Sequence, residues 1–205
     1  MTGSRVQDAV DTIRAGRPVV VTDHPGREDE GDLVVAAQHA TPAIVAFMMS
    51  LCRGLICVPV TADRARLLEL PPMVPDNQES LRTAFTVSVD ATAAITTGIS
   101  AADRATTIDV LWRPGSTARD LVRPGHVFPL VAHPGGVVAR PGHTEAAIDL
   151  AVLAGLEPAG VICEIADRDG VMLRGERLRR FSRRHALVQV SIDELADHLR
   201  ALASR

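Results

Sequence analysis

Four carboxylates and an arginine crowd into Gly26-Arg27-Glu28-Asp29-Glu30-Gly31-Asp32, between the apolar runs Val19-Val20-Val21 and Leu33-Val34-Val35. On an extended chain, residues of equal parity share a side, so Glu28, Glu30 and Asp32 are predicted to point together and Asp29 away. Mutual repulsion makes such a cluster unfavourable without a cation, and the segment is read as a candidate metal site. A solvated acidic turn between two strands has the same composition and stays open as an alternative. Arg140-Pro141-Gly142-His143-Thr144-Glu145 opens a strong helical pattern. Free N–H groups and the positive dipole end of a helix start, with Arg140 and Thr144 beside them, suit a phosphate, although the same residues suit an ordinary cap. His143 in that first turn could reach a metal held by distant carboxylates, or be structural. Glu164 leaves the apolar run Gly160-Val161-Ile162-Cys163, where a raised pKa would suit it to acid or base work unless it simply faces water. Arg123-Pro124-Gly125-His126 puts an imidazole on a stiff turn, and Thr96-Thr97-Gly98-Ile99-Ser100 supplies hydroxyls and a glycine ahead of a helix.

Composition narrows the chemistry. The 205 residues contain neither lysine nor tyrosine, so all 22 basic side chains are arginine. That removes a lysine Schiff base, an internal aldimine and a phosphate-loop lysine, leaving metal or arginine to assist any carbonyl chemistry. A net charge of -3, with arginines dispersed apart from the Arg177 to Arg184 stretch, argues against nucleic acid. No apolar run approaches the roughly 20 residues of a membrane span, and Met1-Thr2-Gly3-Ser4-Arg5 lacks the apolar core of a secretory signal; the expected location is cytoplasmic. Cys52, Cys57 and Cys163 lack the paired spacing of a zinc knuckle or a disulfide framework.

The elements that must position these groups follow from periodicity and punctuation. Helices are predicted over Val6 to Ala15, Thr41 to Met49 (Thr41 as N-cap, Pro42 in first position), Thr61 to Leu68, Ala101 to Leu111, His143 to Ala154, Glu176 to His185 and Ile192 to Ala203. Asp103, three residues after Ser100, approximates an acidic capping arrangement. Strands are predicted over Pro18 to Thr22, Leu33 to Ala37, Gly54 to Val60, Phe85 to Val89, Val127 to Val131, Gly136 to Ala139, Gly160 to Ile165 and Leu187 to Ser191. Pro114 to Gly125 reads as connector. The polar, proline-bounded loop from Pro71 to Thr83 reads as a lid. Short strands mixed with helices, without a clean βαβ rhythm, indicate an α+β fold: one layered domain over residues 1–205, with a mixed, largely antiparallel sheet and flanking helices.

Taken together and in order, Arg27 to Asp32, Thr96 to Arg104, Arg123-Pro124-Gly125-His126-Val127-Phe128-Pro129-Leu130, Arg140 to Ala146 and Gly160 to Glu164 resemble the 3,4-dihydroxy-2-butanone 4-phosphate synthase family through nearly the whole chain. The resemblance implies conversion of ribulose 5-phosphate to a four-carbon ketone phosphate and formate, for riboflavin biosynthesis, with magnesium or manganese. It implies metal binding by Glu28 and His143, with Glu30 nearby. It implies a sugar-phosphate site from Arg27, Asp32, Glu164 and the loop Arg140, Gly142, His143 and Thr144, and catalytic positions at His126 and Glu164; by their chemistry, His126 and Glu164 are expected to relay protons and Asp32 to orient or deprotonate a sugar hydroxyl. It also implies a homodimer with active sites near the subunit interface. Enolisation, a skeletal shift and loss of formate all pass through enediolate-like charge, which a divalent cation in an oxygen-rich site with one imidazole stabilises.

Several positions depart from the family pattern. Gly26 stands where an aspartate is usual, Arg82 where a glycine precedes Thr83, Val131 where an arginine is usual, and Ser50-Leu51-Cys52-Arg53 replaces a more polar stretch. On one reading, Arg53 and Arg82 compensate for lost arginines and the usual product forms. On the other, a diverged copy acts on another sugar phosphate or serves as a non-catalytic sugar-phosphate-binding dimer. The zinc enzyme often fused to this synthase is not expected, because the chain has no suitable cysteine cluster.

Overall fold

The valine-rich segments flanking the acidic run pair with each other and set the centre of the molecule. The computed structural model describes residues 5–204. The start read for a secretory signal lies, up to residue 4, outside the described residues. The elements are α1 (Arg5–Arg14), β1 (Val19–Thr22), β2 (Gly31–Ala36), α2 (Pro42–Phe47), β3 (Cys57–Val60), α3 (Ala62–Leu67), β4 (Val89–Ala91), α4 (Ala101–Trp112), β5 (Leu121–Val131), α5 (Gly136–Ala139), α6 (His143–Leu153), β6 (Gly160–Glu164), α7 (Gly175–Arg184), β7 (Gln189–Ser191) and α8 (Ile192–Ala203).

The seven strands form one sheet in the order β4-β5-β3-β6-β2-β1-β7. The β1/β2, β2/β6, β3/β6 and β4/β5 pairs are antiparallel, and β1/β7 and β3/β5 are parallel. The mixed, mainly antiparallel α+β architecture is the expected one. Strand alternation divides the core in two. Val20, Leu33, Val35, Val161 and Cys163 pack on one face with Val45, Ile108 and Leu178, from α2, α4 and α7. Val19, Val21, Val34, Ala36 and Ile162 pack on the other with Ile13, Leu150 and Leu195, from α1, α6 and α8. Every strand between the edges is thus covered twice, which explains apolar runs in place of the alternation of a half-wet sheet.

Local signals hold where capping chemistry is strong. Thr41 accepts from the Ile44 N–H ahead of Pro42, Thr61 from Arg64, Ser100 from Asp103, and Ser191 with Glu194 forms a reciprocal capping box at α8. Three expectations are corrected. Gly136 to Ala139 is a helical turn, because Asp149 accepts the Val137 N–H at 2.8 Å and caps its start. Regular strand begins only at Val89, with Phe85 and Thr86 making isolated bridges. The connector ends early, since β5 already begins at Leu121 and pairs there with Ala91.

Candidate active site

The acidic turn does not run extended as far as Asp32. Asp23, just beyond β1, folds it back: Oδ2 accepts the Glu28 N–H at 3.0 Å and Oδ1 the Glu30 N–H at 2.8 Å. Asp29 takes a left-handed conformation with φ of 55°. The parity rule therefore fails across Glu28 to Glu30, and the two glutamates part. Glu30 approaches Arg174, with 3.4 Å between Oε1 and Nη2. Glu28 instead joins Asp23 and His143, and one donor atom from each of the three lies within 4.8 Å of the others. Asp23 is a residue that the sequence reading missed; its only signal was a carboxylate immediately after a buried strand.

His143 occupies the first turn of α6, packed against the sheet and 6% exposed. One ring nitrogen bonds the Val21 backbone, while Nε2 has no hydrogen-bond partner. Burial is the largest influence on the ring and holds its pKa down to about 4, with Arg27 acting in the same direction and Asp23 opposing. At neutral pH the imidazole is neutral with a nitrogen lone pair to spare, the state a metal ligand needs. Asp32, on β2, is also buried and its Oδ1 is unpartnered, 3.9 Å from His143 Nδ1. Burial, then the negative Glu164, Glu28, Glu30 and Asp23, push its pKa well up. Two unsatisfied buried polar atoms beside converging carboxylates fit a divalent cation, which would relieve both the repulsion and the missing contacts.

Glu164 comes to the same place through strand register, standing opposite Asp32 at the end of β6. Its Oε2 accepts the Leu55 N–H at 2.8 Å, and burial raises its pKa. A side chain at Gly54 would collide with the Glu164 carboxylate and backbone, so glycine is required there. The buried Cys57 thiol is pushed up by burial and by Glu164 and Asp32, which keeps it protonated and unreactive.

Arg27, Arg140 and Gly142 meet at the start of α6, where Thr144 is buried in the first turn. Arg27 pairs with Asp23 at 3.1 Å and with Glu28. Arg140 Nη1 bonds Oε2 of the fully buried Glu145 at 2.8 Å, and its Nη2 reaches the Leu81 carbonyl at 3.2 Å. A Cβ on Gly142, the α6 N-cap, would lie 2.8 Å from Glu145 Oε2, 3.1 Å from Arg140 Nη1 and 3.4 Å from Arg27 Nη2. Two guanidiniums therefore converge on a helix start that only glycine leaves open.

His126 stands apart from this group. Its Nδ1 lies 2.6 Å from Asp90 Oδ2, and its N–H donates to Asp90 Oδ1 at 2.9 Å. Gly98, at φ of 89°, packs against this dyad; its Cβ would lie 2.6 Å from His126 Nδ1. Asp103 does not close a capping box. It accepts instead from Thr96 N–H, Thr96 hydroxyl and Gly98 N–H, at 3.0, 2.8 and 3.1 Å, and shapes the Thr96 to Gly98 loop beside His126.

The divergent arginines do not enter the acidic group. Arg53 is tied to the carbonyls of Leu51 and Ala166, and Arg82, at φ of 51°, bonds the Asn77 carbonyl. That positive φ gives a physical reason for a glycine at position 82 elsewhere in the family pattern. The Pro71 to Thr83 loop is less polar than its composition suggests. Leu70, Met73, Val74 and Phe85 help line a cavity of about 790 Å³ beneath it.

The sequence model of the 3,4-dihydroxy-2-butanone 4-phosphate synthase family matches residues 7–198. The chain belongs to this family. It is 50% identical to the 3,4-dihydroxy-2-butanone 4-phosphate synthase of Agrobacterium fabrum, with 98% of this chain and 94% of that protein covered. It is 53% identical to riboflavin biosynthesis protein RibBA of Salinispora arenicola over 97% of this chain, but spans only 47% of that relative's length. A crystal structure of a 3,4-dihydroxy-2-butanone 4-phosphate synthase in complex with two magnesium ions superposes with a TM-score of 0.91 at 42% identity, covering 96% of this chain and 97% of that one. Among the described residues, no helix of this synthase-family chain is long and apolar enough to cross a membrane.

Proposed function

We propose that this protein converts D-ribulose 5-phosphate to L-3,4-dihydroxy-2-butanone 4-phosphate and formate, as a single synthase domain of the cytoplasm. The observation that carries the reading is the convergence of Asp23, Glu28 and His143 beside the Arg27/Arg140 cradle, in a chain that matches the family over nearly its whole length. Asp23, Glu28 and His143 would hold magnesium or manganese, which supplies Lewis-acid stabilisation of negative oxygen when bound. Arg27, Arg140, Gly142 and Thr144 hold the sugar phosphate at the α6 start, with charge-assisted bonds and the helix dipole acting together. Asp32 orients or deprotonates a sugar hydroxyl. Glu164 opposite it, and His126 held by Asp90, relay protons. A homodimer accords with the exposed apolar Ile99 and Val122, near Gly98 and His126 in the sequence and beside the short edge strand β4.

The test is carbon NMR of purified protein with carbon-labelled ribulose 5-phosphate and magnesium. Chelator-sensitive release of labelled formate together with the four-carbon ketone phosphate is expected. A different labelled product would assign a diverged enzyme, and unchanged substrate despite metal binding would assign a non-catalytic sugar-phosphate-binding role.

A further inference from the structure

The arginine-rich stretch that stands out in the sequence takes no part in the chemistry above. On α7 and at Arg174 just before it, the guanidiniums divide by partner. Arg179 and Arg183 share Glu176, and Arg174 holds the Glu28 and Asp29 carbonyls of the acidic turn. Arg177, Arg180 and Arg184 follow at i, i+3 and i+7 and so lie along one side of the helix. With Arg53 and Arg168 they line a groove of about 430 Å³ over Leu173 and Phe181.

The charge in this groove is lopsided. Five arginines line it against one carboxylate, Asp167, whose charge is committed to Arg177. An excess of four positive charges thus collects on one concavity of a chain whose formal net charge is -3. Arg168, Arg180 and Arg184 make no ion pair among the described residues. The carbonyls of Leu51 and Ala166, 2.9 and 3.1 Å from Arg53 Nη1, fix that guanidinium without neutralising it. Like charges one turn apart on a helix repel, and a concave wall concentrates their field. The planar fork of arginine matches phosphate oxygens two at a time. A single phosphate would leave much of the excess uncompensated, whereas a di- or triphosphate approaches it, and the cavity has the size of a small-molecule site.

We propose that this groove binds a polyphosphate group, free or carried on a nucleotide, at a site separate from the sugar-phosphate cradle. The test is titration calorimetry of the metal-free protein at about 150 mM salt, where nonspecific surface attraction is screened. The probes are inorganic tripolyphosphate, a nucleoside triphosphate and orthophosphate. Saturable tripolyphosphate binding is expected, with orthophosphate at least about 10-fold weaker. Arg180→Ala and Arg184→Ala should each weaken it by about 10-fold. Arg179→Ala, outside the groove and paired with Glu176, should leave it unchanged. Tighter binding of the nucleoside triphosphate than of tripolyphosphate would identify a nucleotide as occupant, and equal binding the free polyphosphate; each supports the site. The proposal is overturned by absence of saturable binding, by equal losses in Arg179→Ala and Arg180→Ala, or by loss of binding in Arg140→Ala with Arg180→Ala unaffected.

Discussion

Asp23 does two things at once: its oxygens hold the Glu28 and Glu30 N–H groups that shape the turn, and they stand among the donor atoms that could hold a cation. Asp23→Asn keeps the size, removes the charge and replaces one accepting oxygen by a donor. Magnesium-dependent formate release should fall by about 100-fold or more, with a higher magnesium requirement. An unchanged magnesium titration would remove Asp23 from the ligand set. Glu145 acts at one remove, because both its oxygens are used, by the His133 N–H at 2.9 Å and by Arg140. Glu145→Gln can satisfy only one of them. The expected result is a KM for the sugar phosphate raised about 10-fold with kcat little changed, and a stability loss of about 1–3 kcal/mol. Steady-state kinetics and denaturant melts read the two effects separately.

At the scale of elements, one carboxylate gathers the end of the Pro71 to Thr83 loop. Glu79 accepts the Leu81 and Thr83 N–H groups, and those bonds hold its pKa at about 2, below the ordinary 4.5. A carboxylate with a lowered folded pKa contributes stability above its unfolded pKa and loses it as pH falls through the folded one. Protection of the Leu81 and Thr83 amides from hydrogen exchange should therefore decline as pH drops from 4.5 towards 2, and be weaker in Glu79→Gln already at neutral pH. Flat protection across that range would show that other contacts hold the loop. Because the Leu81 carbonyl meets Arg140, loosening here reaches the arginine proposed to hold the sugar phosphate. The loop residues Asn77 and Glu79 carried no such signal in the sequence, since their partners are backbone groups that only the folded turn brings near.

For the whole molecule, the site rests on two packed faces. Leu150 of α6 is fully buried between the sheet and the α1/α8 pair. Leu150→Ala should cost about 2–5 kcal/mol, seen as a lower denaturant midpoint with an unchanged slope. Because α6 starts at His143 and its Gly142 cap, the variant should also weaken metal binding if the helix shifts, and leave it intact if the cavity merely stays empty. Manganese binding followed by electron paramagnetic resonance distinguishes the two.

By itself the sequence determined most of the element order, most helix caps, the α+β class and the residue types of the candidate site, because capping, proline and glycine rules and apolar periodicity act over a few residues. It also marked Glu28, Asp32, His143 and Glu164, because charges beside apolar strands are conspicuous in one dimension. Tertiary structure alone decided which carboxylates meet. Asp23 folds the turn and substitutes for Glu30 in the group with His143; strand register sets Glu164 against Asp32; Asp90 claims His126; and Arg53 goes to the groove beside α7. These outcomes depend on left-handed backbone at Asp29 and on pairings between strands far apart in the chain, which local spacing does not encode.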